Sequence, residues 1–363
     1  MRELLGKLYH LLCYKNSWLR PLKFFRKGGQ RDVVLLPADD SFLSKQEVQW
    51  WYWTGHLRDE NGKRYGFEIA FFAFDSWIFF KNQLAQAAIT DVDGQSYHYR
   101  EDVEFCSLPK KLEGKFDLSA TNGGRKGIAA SGGNGRDSLY CEIDDYVLDV
   151  NLESMEQPVI HYNGKIHPYA FGGYTYYYAR ESMQTKGTLT IKGNTYKVEG
   201  VSWFDRQYGD LYDAIFKGWQ WFAIELFDER SIMLYDFIEE ECRTERFGSI
   251  TYKDQRESKI LHYDEYEVIV LATWQCPQTN ITFPSGWKVK LEGSEFRIEP
   301  LVQDQALKAK HKFWIGPEYW EGACNVLDRN HQIVGQAYVE LNGFGHKLIS
   351  VEIGEHKNFD FGI

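Results

Sequence analysis

The sequence has no apolar run approaching about 18 residues, the least that carries a helix across a bilayer, so no membrane-spanning helix is expected. Cysteine pairing signals are missing too. The 6 cysteines, at 13, 106, 141, 242, 276 and 324, are scattered, form no C-x-x-C and share no zinc-type spacing with histidine. Free thiols follow, and with them a reducing, cytoplasmic setting. Positive charge is not in excess: a net charge of −10 argues against nucleic acid as a partner. No P-loop and no strand–GxGxxG–helix order occurs, and no G-x-S-x-G elbow, which disfavours a nucleotide cofactor and a serine hydrolase of that type. No metal, nucleotide or flavin is expected. Long helical periods are nearly absent as well.

Aromatic residues are what the chain has in plenty. Phe, Trp and Tyr make up 16% of it, and large rings suit pleated, half-buried surfaces and ring-lined cavities. From about residue 46 onward the apolar period is two. "VQWWYWTGHL" and "YGFEIAFFAF" read as a hairpin turning at Asn61-Gly62, and a second hairpin turns at Asp93-Gly94. A third lies around Gly193-Asn194, a fourth spans "WQWFAIELFDERSIMLYDF", and a fifth turns between Asp328 and His331. Many short strands punctuated by turns predict an all-β chain of sandwiches or barrels. Residues 119–136, "SATNGGRKGIAASGGNGR", read as a mobile loop. The expected boundaries are 1–40 for a basic N-terminal segment, 41–210 for a first β-domain and 211–363 for a second. Residues 1–31 carry eight basic groups and one acidic group, with Leu4, Leu5, Leu8, Leu11 and Leu12 at helical spacing. That pattern fits a short amphipathic helix, packed either on an anionic membrane surface or on the protein's own body.

One stretch brings acids and rings together. "WFDRQYGD", residues 203–210, sets Asp205, Arg206 and Asp210 among aromatics, and "GWQWFAIELF" follows closely. With an even loop centred on Asp228-Glu229, Trp221 faces Asp236 and Glu225 faces Ile232. Trp219, Trp221, Glu225 and Asp236 then share one wall, and a slip of one residue puts Tyr235 there instead. A carboxylic acid against indole rings loses solvation of its anion and keeps its proton nearer neutrality. Such an acid can protonate an electron-rich alkene, and ring faces stabilise the resulting cation. The opposing reading is a barrel core with an Asp–Arg pair at its rim. The histidines His56, His98 and His161 read as rim residues.

The segments "EVQWWYWTGHLRDENGKRYGFEIAFF", "YTYYYARESMQTKGTLTIKGNTYKVEGVSWFDRQYGD", "GWQWFAIELFDERSIMLYDF" and "YWEGACNVLDRNHQIVGQAYVELNGF" occur in this order. Together they resemble the carotenoid 1,2-hydratase (hydroxyneurosporene synthase) and AttH-like family. The resemblance implies two packed lipocalin-like (calycin) β-barrel domains with a lipophilic pocket. In its hydratase branch it implies cofactor-free addition of water to a terminal isoprenoid double bond. The family segment Trp-x-Asp-His-x-Trp-Gly is matched by Trp203, Asp205 and Gly209, with Arg206 in place of the His and Tyr208 in place of the second Trp. Trp219 and Trp221 match the W-x-W pair, and Tyr235 and Asp236 the Tyr–Asp region. Trp51, Trp53, Glu68, Glu321 and Glu340 match other family positions. Arginine cannot act as the base a histidine provides. Arg206 is therefore expected to hold Asp205 ionised, bind an anionic substrate end, or pair with Glu321 or Glu340. Glu68 reads as a solvent-facing strand residue or a pocket residue.

The expected function is a lyase or isomerase acting on a hydrophobic isoprenoid-like substrate by acid-initiated chemistry at a C=C bond: hydration, cyclisation or isomerisation. Asp236 or Asp205 would be the acid, with Arg206, Tyr235 and Glu225 beside it. Trp203, Tyr208, Trp219, Trp221, Trp51, Trp53 and Glu68 would line the pocket. The alternatives are a carrier of an apolar ligand and an accessory protein of a membrane enzyme.

Overall fold

The structure is a computed structural model. It describes residues 33–344, apart from 45, 78–79, 123–124, 170–171, 212–213, 215–217, 239–244, 255–256 and 308–318, together with the backbone strands at 351–353 and 357–359. The amphipathic reading of residues 1–31 lies outside the described residues.

The alternating segments form two sheets. The first holds β1 (Val48–Asp59), β2 (Arg64–Trp77), β3 (Phe80–Asp91), β4 (Ser96–Phe105), β5 (Phe116–Asn122), β6 (Arg125–Gly133), β7 (Arg136–Ile143), β8 (Tyr146–Glu153), β9 (Val159–Ile160), β10 (His167–Pro168), β11 (Tyr174–Ile191) and β12 (Asn194–Asp210). Its order is β4-β3-β2-β1-β12-β11-β8-β7-β6-β5. The second begins with β13 (Gly218–Leu226), β14 (Arg230–Ile238), β15 (Arg246–Tyr252), β16 (Glu257–Leu261) and β17 (Tyr266–Val270). After the separate pair β18 (Thr273–Gln275) and β19 (Thr282–Pro284), it continues with β20 (Trp287–Leu291), β21 (Ser294–Pro300), β22 (Ala306–Leu307), β23 (Tyr319–Leu327), β24 (Ile333–Asn342), β25 (Val351–Ile353) and β26 (Lys357–Phe359). Each large sheet curls into a nearly closed antiparallel barrel.

Strand alternation decides what each barrel buries. β1 turns Trp51, Trp53 and Leu57 into the first barrel, against Phe67, Ile69 and Phe204. β13 turns Phe222, Ile224 and Leu226 into the second, against Ile232, Leu234 and Trp287. Both interiors are therefore filled with side chains. The outward faces carry a third apolar cluster that draws on both barrels, including Tyr52, Ala70, Tyr177 and Trp203 from the first and Trp221, Met233, Tyr235 and Phe237 from the second. Bonds across this junction include His56 Nε2 to the Ala337 carbonyl at 2.9 Å and Thr90 Oγ1 donating to Gln305 Oε1 at 2.7 Å.

The described part of residues 119–136 is not a loop: it supplies most of β5 and β6, with Ala120, Ile128 and Ala130 facing the first interior. The period of two is present but is carried partly by alanine, because large residues opposite, such as Trp53 against Phe116, occupy the space. The fourth hairpin has a three-residue loop, so Trp221 faces Tyr235 and Glu225 faces Ser231. Among the described residues, Cys106, Cys141, Cys276 and Cys324 are free thiols.

Candidate active site

The junction between the barrels opens into an aromatic recess with a cavity volume of about 50 Å³, continuous with open solvent. Trp50, Tyr52 and Phe72 line it from the first barrel, and Trp219, Trp221 and Phe237 from the second. Tyr169, Tyr177, Tyr235 and Tyr319 bring hydroxyls, as does Tyr52, and Asp205, Gln207 and Glu340 add a carboxyl, an amide and a second carboxyl. Apolar walls with a few convergent polar groups are the usual make-up of a small-molecule site.

Asp205 reaches the recess because β12 alternates: Phe204, Arg206 and Tyr208 face the first barrel's interior side, while Trp203, Asp205 and Gln207 face the junction. Its carboxylate is 4% exposed. The Tyr177 hydroxyl donates to Oδ2 at 2.6 Å and Trp203 Nε1 to Oδ1 at 2.8 Å. Trp221 Nε1, from the other barrel, donates to the Tyr177 hydroxyl at 3.1 Å. Among the described residues no cation pairs with Asp205. Burial pushes its carboxyl up to about 7, and the two donated hydrogen bonds only partly offset this. Around it Trp221 meets Tyr52 edge-on at 5.5 Å between ring centroids, and Trp203 at 6.2 Å. On the far side Gln207 Nε2 donates to the Tyr169 hydroxyl at 2.9 Å, and the Tyr235 hydroxyl lies 3.2 Å from that of Tyr162.

A second set of acids adjoins the recess. Glu340 lines it, cross-strand from Trp221 on one side and Glu321 on the other. Glu321 is buried and accepts from the Tyr52 hydroxyl at 2.7 Å. Glu68 does point opposite to Phe67 and Ile69, but into the junction, where it is 1% exposed rather than solvent-facing. Burial raises all three carboxyls, Glu340 to about 8.

The expected site residues therefore separate. Asp205, Trp219, Trp221 and Tyr235 line the recess, and Trp203 braces Asp205 from behind. Asp236 does not share their face. The odd loop turns it into the second barrel, where Arg246 Nε donates to it at 2.9 Å, Tyr266 Oη at 3.1 Å and Gln220 Nε2 at 3.2 Å. Arg206 neither holds Asp205 nor meets Glu321 or Glu340. It is fully buried at one end of the first barrel, 3.9 Å from the Trp51 ring centroid. There it donates to the carbonyls of Asp39, Ser41, Trp50 and Gln207 and to Gln49 Oε1, which pins the 39–41 segment to the barrel. Tyr208, Trp51 and Trp53 belong to that interior too: Tyr208 donates to Asp39 Oδ2 at 2.7 Å and Trp53 Nε1 to Asp137 Oδ2 at 3.0 Å. Glu225 sits with Ser182, Ser231 and Lys253. His161 is no rim residue: it is fully buried against the Tyr177 ring at 4.2 Å, and burial lowers it to about 3.

Tyr177, Tyr52, Trp50, Tyr169 and Gln207 were not singled out. The signal for Tyr177 was available in "YTYYY", since alternation separates it from Tyr176 and Tyr178, but its register against Asp205 depends on long-range pairing. Among the described residues no group of three or more His, Cys, Asp or Glu side chains is arranged to hold a metal ion.

The AttH-like family model matches residues 28–344, most of the chain. The chain belongs to the AttH-like family. Two solved structures share this AttH-like fold. A Nitrosomonas europaea protein described as an AttH superposes with a TM-score of 0.76 at 22% identity, covering 87% of this chain and 98% of that one. Kievitone hydratase from Nectria haematococca gives 0.66 at 19% identity, covering 85% and 93%. No curated protein matches the chain in sequence.

Proposed function

We propose that the recess is the active site of a cofactor-independent hydro-lyase of the hydratase type, acting at a C=C bond of a hydrophobic, isoprenoid-like molecule. Asp205 is its essential proton-transfer group. The observation that carries this reading is a buried carboxyl, raised to about 7, placed at an aromatic-lined recess between the barrels. At neutral pH such a group exchanges its proton readily, which suits acid–base work on a substrate with no ionisable group of its own. Positive charge developing on the substrate carbon would face the rings of Trp50, Trp219, Trp221 and Tyr52, which stabilise cations through their π-faces. Membership of a family whose fold is shared with a kievitone hydratase supports hydration over the other C=C reactions.

The test is incubation of the full-length protein with isoprenoid alkenes such as farnesol and lycopene in water labelled with heavy oxygen, with mass spectrometry of the extract. Incorporation of label into a new alcohol is the expected result. Asp205→Asn should keep its circular dichroism spectrum and lose turnover by on the order of a hundredfold or more. Unchanged turnover in that variant would remove Asp205 from the role. Binding of the alkene without any product would return the protein to the carrier reading.

A further inference from the structure

We infer that Glu340 is the proton donor of the recess and Asp205 the proton acceptor, so that each barrel contributes one of the two reacting carboxyls. This rests on the reading of the recess as a hydrating site.

The surroundings of the two carboxyls differ. Asp205 receives donors on both oxygens, from Tyr177 and Trp203, an arrangement that favours its ionised form. Glu340 has one such donor, the Trp219 indole, which only partly offsets its burial. It lies cross-strand from Glu321, and two carboxylates opposed on one sheet face repel each other. Glu68 approaches from β2 of the other barrel, with Oε2 buried and without a hydrogen-bond partner. Among the described residues no Lys, Arg or His pairs with Glu68, Glu321 or Glu340. The groups that face this cluster from the packed strands are Asp205 on β12, Glu101 and Tyr97 on β4, the hydroxyls of Tyr52, Tyr319 and Tyr338, and the indoles of Trp219 and Trp221. None of them supplies positive charge. A proton shared between the two reacting carboxyls therefore rests on Glu340, because its anion forms in a buried place beside the charge of Asp205 and with fewer donors than Asp205 has. The direction of the shifts agrees: burial raises Glu340 to about 8 and Asp205 to about 7, and the charge of Asp205 pushes Glu340 higher.

The step balances with water as the only co-reactant. The O–H bond of Glu340 breaks as its proton forms a C–H bond to one alkene carbon. The other alkene carbon becomes cationic between the ring faces. Water forms the C–O bond there and gives a proton to the Asp205 carboxylate. The product is the alcohol, and return of a proton from Asp205 to Glu340 resets the pair. Glu321 stands behind the pair: it lies cross-strand from Glu340, accepts from the Tyr52 hydroxyl, and burial together with the charge of Glu340 keeps it protonated.

A carboxyl NMR titration of isotope-labelled full-length protein, with signals assigned from Glu340→Gln, Glu321→Gln and Asp205→Asn, tests the order of the two groups. Glu340 is expected to keep its proton to higher pH than Asp205, and Asp205→Asn to lower the Glu340 midpoint by removing a like charge. Asp205 titrating above Glu340 would overturn the assignment. With farnesol as the probe, Glu340→Gln should lose on the order of a hundredfold in kcat at little cost in KM, and Glu340→Asp should recover part of the loss. Turnover by the parent protein that survives Glu340→Gln would sink the donor role alone. Absence of turnover in the parent protein would instead sink the active-site reading on which it rests.

Discussion

Asp205 and Arg206 are adjacent in the chain and do opposite work. The carboxyl faces the junction, where burial raises it to about 7. The guanidinium faces the first barrel, where five oxygens satisfy it. Replacing Arg206 by Leu strands those oxygens and unties residues 39–41. Leaving a buried acceptor without its donor costs about 1–3 kcal/mol. Denaturant unfolding of Arg206→Leu should register that loss, while turnover per folded molecule stays unchanged; a selective loss of kcat would show that Arg206 reaches the chemistry. The pairing of acid with aromatics was legible in "WFDRQYGD" because it needs only composition. The direction each side chain takes was not, since it depends on which face of β12 meets which sheet.

At the scale of elements, the hairpins with glycine-marked turns were readable. Asn61-Gly62 and Asp93-Gly94 lie in the loops after β1 and β3, where the sequence expects them. The loop from β13 to β14 was misread for a physical reason. It spans Phe227, Asp228 and Glu229, and Glu229 takes a left-handed backbone (φ 68°) where glycine normally marks a three-residue turn. Two-residue hairpin loops are the commonest, so the sequence favours the even register, and one extra loop residue turns all of β14 to the other face. Glu229 is exposed, so Glu229→Gly removes steric strain at no packing cost. We expect it to stabilise the protein by about 1 kcal/mol in chemical unfolding. A destabilisation of similar size would mean that the turn gains more from its side chain than the strain costs.

The molecule as a whole buries an unusual set of acids, and this sets how its stability responds to pH. Burial raises Asp137 from 3.8 to about 6, Asp205 from 3.8 to about 7, and Glu181 and Glu340 from 4.5 to about 8. The unfolded chain releases these protons first, so the fold binds more protons than the unfolded state over that window and loses stability as pH rises through it. His56 and His161 act in the other direction. Burial lowers them from 6.5 to about 4 and about 3, so their contribution falls as pH drops below 6.5. Between pH 6.5 and 8 the carboxyls dominate. The thermal midpoint should fall across that interval, and Glu181→Gln should flatten the slope. A midpoint that climbs instead would mean the folded chain already carries these groups as anions. The site itself lies on the outsides of two closed hydrophobic interiors. The residues that line the recess are therefore not the ones that fill either barrel. Natural variation can reshape the cleft by exchanging outward-facing side chains or by sliding one half against the other, so one scaffold can acquire new substrates at little risk to its integrity.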